Sequence, residues 1–103
     1  MGDFVRVAKL TDIEEGGAIR VEVDGEPVAL FNVGGRIYAI GETCTHEEAS
    51  LSEGYVEGKA VECPRHGARF DLKTGQALTL PATMPARVYE VKVEGGEVFI
   101  RQG

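Results

Sequence analysis

The sequence predicts an all-β domain, folded as a small antiparallel β sandwich or barrel. Glycine accounts for 14 of the 103 residues and divides the chain into short segments. Several of these segments alternate apolar and polar residues, which is the pattern of a strand that buries one face. No long stretch has the period of a helix. Many short strands separated by turn residues are typical of sandwiches and small barrels.

Four strands are predicted in the first part of the chain, over residues 4–7, 19–23, 28–33 and 36–40. The second alternates apolar residues with Arg20 and Glu22, and Asp24-Gly25 ends it as a turn signal. Gly34-Gly35 joins the third and fourth strands. This pair suits a two-residue hairpin, because both central residues of a type I′ turn need positive φ.

Two more strands are predicted near the end of the chain. Tyr89, Val91 and Val93 lie on one face of the first, and polar or charged residues separate them. Gly95-Gly96 then turns the chain into a last strand over residues 97–101.

Residues 41–85 differ from both ends of the chain. Their apolar residues are sparse and not periodic, and they contain three of the four prolines. A loop-rich stretch of this length is unusual in a small domain unless something holds it together. We therefore expect one domain, residues 1–103, in which a loop-rich subdomain of about 41–85 is inserted in a β framework formed by residues 1–40 and 86–103.

Size and charge limit the classes of function. A chain of 103 residues has room for one domain. Its net charge of −6 opposes binding to nucleic acid or to an anionic membrane surface. The longest apolar runs, Val28–Phe31 and Ile37–Ile40, are far shorter than the ~20 residues of a transmembrane helix. No secretory leader is visible and cysteine is scarce, so we expect a cytoplasmic protein with no nucleic-acid or membrane partner.

All the strong soft-metal ligands of the chain lie in the loop-rich region, in two clusters. The clusters are Cys44-Thr45-His46 and Cys63-Pro64-Arg65-His66, and they contain both cysteines and both histidines of the sequence. These spacings let the two ligands of each cluster point at one centre from a tight loop. Thiolate and imidazole together select zinc, iron or copper rather than magnesium or calcium.

Two interpretations of the clusters need no iron. The cysteines could form a disulfide and leave the histidines incidental. A structural zinc site could use all the ligands as a tetrahedron. However, zinc modules usually pair cysteine with cysteine and histidine with histidine, whereas each cluster here is mixed.

The third interpretation is a resemblance to Rieske 2Fe-2S proteins, which covers essentially the whole chain. The segments that carry it are Cys44-Thr45-His46, Leu51-Ser52-Glu53-Gly54, Cys63-Pro64-Arg65-His66-Gly67-Ala68-Arg69-Phe70-Asp71, Thr74-Gly75 and Leu80-Pro81-Ala82. In Rieske proteins two cysteines hold one iron and two histidines hold the other. The resemblance therefore implies a Rieske-like fold and one 2Fe-2S cluster, with Cys44 and Cys63 on one iron and His46 and His66 on the other.

The resemblance also implies roles for residues around the ligands. Pro81 is expected to help cover the metal site, and Arg65 and Gly67 are expected to belong to its surroundings. Residues 41–62 contain six glutamates and one lysine, whereas residues 63–73 contain three basic residues and one aspartate. Solvation of an exposed face accounts for most of these charges. A docking surface around the histidines is the alternative, with Arg65 as the residue expected to matter most.

The residues that match the surroundings of respiratory Rieske clusters predict a low reduction potential. Respiratory Rieske proteins have a disulfide whose cysteines match Ala49 and Arg65, and serine and tyrosine hydroxyls that match Ala68 and Phe70. Hydrogen-bond donors to cluster sulfur stabilise the reduced state. Without them we expect a potential toward the low end of the Rieske range of about −150 to +300 mV.

The predicted function is electron transfer rather than catalysis. If the cluster uses both histidines, none is left for the catalytic iron of an oxygenase, and no GxGxxG or phosphate-loop pattern is present. The chain is most similar to the small ferredoxins of aromatic-ring-hydroxylating dioxygenases. This resemblance implies transfer of one electron from a flavin-dependent ferredoxin reductase to a terminal oxygenase. The alternatives are a small subunit of a nitrite-reductase-like complex and a zinc-stabilised interaction module.

Overall fold

The computed structural model of the protein describes residues 3–43, 49–64, 67–79 and 85–102. Within these ranges it has no α-helix, and the all-β prediction is confirmed. The strands are β1 (Val5–Lys9), β2 (Ala18–Val23), β3 (Glu26–Val33), β4 (Arg36–Gly41), β5 (Tyr55–Glu57), β6 (Ala60–Glu62), β7 (Arg69–Asp71), β8 (Val88–Glu94) and β9 (Glu97–Gln102). Short 3-10 turns lie at Leu10–Asp12 and Leu51–Glu53.

The larger sheet has six antiparallel strands in the order β1-β9-β8-β4-β3-β2. These are the six strands predicted from the sequence. The hairpin between β3 and β4 pairs Val33 with Arg36, and its turn residues Gly34 and Gly35 have φ values of 60° and 90°. The two edge strands β1 and β2 lie near each other, which gives the sheet a nearly closed, barrel-like form.

Strands β3 and β4 bury both of their faces. Val28, Leu30 and Ala39 point into the interior of the large sheet, where they pack with Val98 and Ile100 of β9 and other apolar residues. Their neighbours along the strands point to the opposite face, into a second core that is completed by residues between 49 and 86. This double burial explains why β3 and β4 are continuous apolar runs rather than alternating ones. Each large apolar side chain buried in this way contributes about 1.5–3 kcal/mol.

The smaller sheet has three antiparallel strands in the order β5-β6-β7, and it was not predicted. Each strand has three residues, too few for an alternating pattern to be recognised. Val56, Val61 and Phe70 face the second core, whereas Tyr55 and Glu57 are exposed. Burial against the large sheet therefore determines which face of these short strands is apolar.

The two sheets draw on different parts of the chain. The large sheet uses residues up to Gly41 and from Val88 onward, and the small sheet uses residues between them. The division into a framework and an inserted subdomain at about residues 41–85 stays a prediction.

Candidate metal centre

The second ligand cluster lies in the loop that joins β6 to β7. Cys63 directly follows β6, and its N–H donates to the carbonyl oxygen of Ala68 at 2.6 Å. The N–H of Gly67 donates back to the carbonyl oxygen of Cys63 at 3.2 Å. Gly67 has a φ of 75°, a conformation that residues with a side chain rarely adopt. The positive φ at this position therefore explains why the loop has a glycine there.

The side chain of Cys63 is 1% exposed and belongs to the second core, which also contains Ala68 and Phe70. Within the part of the chain that the structure describes, Cys63 forms no disulfide. A thiolate is a soft ligand that suits iron or zinc, and a buried one needs a positive partner. Cys63 therefore fits the inner end of a metal site.

The first ligand cluster follows β4, in a loop whose two ends are paired. Thr43 and Ser50 form an antiparallel bridge, and the N–H of Leu51 donates to the carbonyl oxygen of Glu42 at 2.7 Å. Ala49 and Leu51 are buried in the same core as Cys63. The far end of the first ligand loop and the start of the second therefore meet on one apolar core. This arrangement fits a group held between the two loops.

Glu42 is a feature of the site that sequence reasoning missed. It is 4% exposed, although it was grouped with glutamates expected to be solvated. Its Oε1 accepts a hydrogen bond from the N–H of Ser52 at 2.8 Å, and its Oε2 accepts one from the Ser52 hydroxyl at 2.6 Å. No local signal reveals this burial, since the partner lies ten residues away along the chain.

A third segment runs beside β7. The N–H of Leu78 donates to the carbonyl oxygen of Arg69 at 2.7 Å, and the Arg69 N–H donates to the Thr79 hydroxyl at 3.0 Å. The Arg69 guanidinium also pairs with Glu57 at 2.8 Å, so part of the predicted basic character of the second loop is neutralised. This segment leads from the small sheet toward the stretch that contains Pro81.

Two glycines of the resemblance lie where chains approach closely. A Cβ on Gly54 would lie 2.3 Å from the carbonyl oxygen of Glu62. A Cβ on Gly75, which has a φ of 76°, would lie 2.3 Å from the carbonyl oxygen of Ala86. Any larger residue would displace backbone at both positions. Gly54 holds the end of the 3-10 turn against β6, and Gly75 holds the loop after β7 against the chain that enters β8.

The structure places only some of the predicted site residues. Cys63 and Gly67 lie in a tight loop between β6 and β7, and Ala68 and Phe70 are fully buried beside them. Cys44, His46, Arg65, His66 and Pro81 lie outside the described residues. Within the described ranges, no group of three or more potential metal ligands occurs, and no helix is long and apolar enough to span a membrane.

Comparisons with known proteins identify the family of this chain. Residues 3–90 match the family described as Rieske [2Fe-2S] domain. The chain is 58% identical over 93 residues to the 3-phenylpropionate/cinnamic acid dioxygenase ferredoxin subunit of Escherichia coli (strain K12), covering 88% of this chain and 86% of the relative.

Solved structures are also similar. The ferredoxin of carbazole 1,9a-dioxygenase from Nocardioides aromaticivorans IC177 is 36% identical with a TM-score of 0.92, covering 99% of this chain and all of the other. A chain in a complex of reduced oxygenase and oxidized ferredoxin in carbazole 1,9a-dioxygenase is 42% identical with a TM-score of 0.87, covering 94% of this chain and 91% of that one.

Proposed function

The chain belongs to the Rieske 2Fe-2S domain family, and we propose that it carries electrons one at a time from a flavin-dependent ferredoxin reductase to the terminal oxygenase of an aromatic-ring dioxygenase. It is an electron carrier with one Rieske-type 2Fe-2S cluster and not the catalytic component. The observation that carries the proposal is the buried Cys63, set where the ends of both ligand loops share one apolar core. The 58% identity to a dioxygenase ferredoxin subunit supports the same function.

We propose that Cys44 and Cys63 hold one iron of the cluster and that His46 and His66 hold the other. Bound in this way, the cluster supplies a site that gains and loses a single electron. Neutral imidazoles in place of two thiolates make the site less negative, which raises its potential above that of a centre with four cysteines. Burial of Cys63 keeps water away from its side of the cluster, and we propose that the histidine side faces a partner.

The low potential is part of this proposal. Ala68 and Phe70 are fully buried, and neither side chain carries a hydroxyl. Neither can therefore donate a hydrogen bond to sulfur and stabilise the reduced state. A midpoint potential above about +100 mV, well inside the Rieske range, would contradict it.

Docking is proposed to take place around His46 and His66. Arg65 lies between two ligands in the sequence, and the first ligand loop is acidic. Charges of opposite sign at one tip orient an approaching partner and raise the encounter rate. Gly67 and Pro81 are proposed to shape the same surface.

We also propose that the protein is cytoplasmic, because thiols stay reduced in that compartment. Cell fractionation tests this location.

Two measurements test the proposed function. The purified chain should be reddish-brown and contain about two iron atoms and two acid-labile sulfides, as a 2Fe-2S centre requires. A colourless zinc protein would instead support the zinc-stabilised interaction module. The Cys63→Ser variant is the control, because it removes a proposed ligand and should lose the colour.

The second measurement is reconstituted electron transfer. The chain is mixed with a flavin-dependent ferredoxin reductase and either the 3-phenylpropionate/cinnamic acid dioxygenase oxygenase or the carbazole 1,9a-dioxygenase oxygenase. Reduction of an oxygenase that needs this chain supports the proposal. Transfer only to the large component of a nitrite reductase would favour the nitrite-reductase-like alternative.

A further inference from the structure

We propose that Glu42 acts as a fixed, buried negative charge that keeps the reduction potential of this protein low. Glu42 is not a proposed ligand, and its burial sets it apart from the other acidic residues of the proposed docking surface. The inference rests on the bound cluster of the proposed function, but it concerns how readily that cluster accepts an electron, which can be measured without a partner.

The backbone and the carboxylate of Glu42 are both held in place. Its N–H donates to the carbonyl oxygen of Pro27 at 3.1 Å, and its carbonyl oxygen accepts from Leu51 at 2.7 Å. Each carboxylate oxygen accepts one hydrogen bond from Ser52, at 2.8 and 2.6 Å. With 4% exposure, the side chain cannot swing into solvent without breaking these contacts.

This position is close to a proposed ligand of the cluster. Glu42 precedes Cys44 by two residues, so their Cα atoms are at most about 7 Å apart. A charge in water would be screened, whereas a buried one is screened much less. Arg87 lines one surface pocket together with Glu42, but Arg87 is exposed, and solvent weakens its opposing effect.

The size of the effect follows from Coulomb's law. At an effective dielectric constant of about 20, a unit charge about 10 Å from a redox site changes its one-electron equilibrium roughly tenfold. A negative charge disfavours the extra electron. Removing it should therefore raise the ratio of reduced to oxidised protein roughly tenfold at a fixed applied potential, or about 59 mV for one electron.

The experiment is a potentiometric titration of isolated, cluster-loaded protein, followed by visible absorption. Glu42→Gln keeps the size of the side chain. Its amide oxygen can accept from the N–H of Ser52, and its amide NH2 can donate to the Ser52 hydroxyl, which rotates to accept. We expect its potential to rise by about 59 mV. Glu42→Asn and Glu42→Asp form a second pair of equal length, in which only the aspartate should retain a low potential.

An exposed glutamate in the neighbouring turn provides the control. Glu53→Gln removes the same charge from an exposed position in the same part of the chain. Its effect should be several-fold smaller than that of Glu42→Gln and should fade at high salt, whereas the effect at Glu42 should persist.

Three results would overturn the inference. They are an unchanged reduction potential in Glu42→Gln, an equal change of potential in Glu53→Gln, or equal changes of potential in Glu42→Asp and Glu42→Asn.

The iron and sulfide contents are measured before the potentials. Wild-type protein without a cluster refutes the proposed function, whereas loaded variants with unchanged potential refute only the role of Glu42. If Glu42→Gln does not load, the comparison of aspartate with asparagine decides.

Discussion

The central strands of the large sheet bury long continuous runs of residues, whereas the strands of the small sheet bury only short ones. Strand β3 of the large sheet buries five consecutive residues, Val28–Asn32. In the small sheet β5 buries none, β6 buries Ala60 and Val61, and β7 buries only Phe70. The centre of the large sheet is stabilised by apolar area along long strands, whereas the short strands of the small sheet contribute only a few buried side chains.

The small sheet and the loops around it are also held by hydrogen bonds between distant points of the chain. The N–H of Leu72 donates to the carbonyl oxygen of Lys59 at 2.8 Å, and Ala86 donates to Gly75 at 2.7 Å. These contacts join loop to loop, and the proposed ligands would add a further link. The centre of the framework is therefore stabilised by buried apolar area. The small sheet and its loops also depend on individual long-range hydrogen bonds and on the proposed metal ligands. Substitutions that remove one such contact or ligand at a time test this difference between the two regions.

The largest effect is expected from Cys63→Ser, which removes a sulfur ligand. The variant should contain no cluster, and residues 41–85 should lose structure before the framework does. Hydrogen exchange measures this: amides of β6 and β7 should lose about tenfold or more of their protection, while those of β3 and β4 keep theirs. Wild-type protein stripped with a chelator should behave in the same way. One concerted loss of protection across both sheets would refute the division into two regions.

A smaller but still large effect is expected from Gly75→Ala. The new Cβ would lie 2.3 Å from the Ala86 carbonyl oxygen and 2.6 Å from a Val88 methyl group. We expect a loss of about 3 kcal/mol in the free energy of unfolding, from backbone strain of ~1–2 kcal/mol and overpacking of ~1–3 kcal/mol. Denaturant titration measures this loss.

Gly96→Ala is the matched control for that substitution. Gly96 has the same φ of 76°, but a Cβ there would have nothing within 4 Å. Only the strain of ~1–2 kcal/mol should remain. Equal losses in the two variants would mean that the close approach at Gly75 contributes nothing to stability.

The framework could be predicted because its evidence is local. The apolar runs of β3 and β4 stand on either side of Gly34-Gly35, and each alternation elsewhere extends over several residues. Boundaries were less certain: the first strand was predicted at residues 4–7 and lies at Val5–Lys9. A strand's end depends on its partner, here β9, from the other end of the chain.

The ligand region could be predicted only where chemistry marks it. Spacing predicts Cys63 and its cluster as ligands, and the positive φ of Gly67 explains one further residue of the motif. The three short strands escaped prediction because three residues do not define a period. The burial of Glu42 escaped because it depends on Ser52. Contacts between residues far apart along the chain produce little local pattern in a single sequence.

A moderate effect on the potential is expected from Ala68→Ser. Ala68 is fully buried, and its carbonyl oxygen accepts from the N–H of Cys63. A hydroxyl here would supply the hydrogen bond that this chain lacks, worth about 1 kcal/mol in favour of the reduced state. The potential should therefore rise, as measured by redox titration. Ala60→Ser, at a buried position on β6, is the control and should leave the potential unchanged.

The smallest effect is expected from Arg65→Gln, since a charge at a docking surface acts mainly on the rate of encounter. Electron transfer to the oxygenase should slow by a few-fold at low salt, and the rate should depend less on ionic strength. Arg36→Gln is the control. Arg36 is the first residue of β4, whereas the first ligand loop follows the last residue of that strand, so the same charge is removed at a distance from the proposed docking surface. Stopped-flow kinetics across a salt series measures both variants. If both slow transfer equally, net charge rather than a docking contact at Arg65 determines the rate.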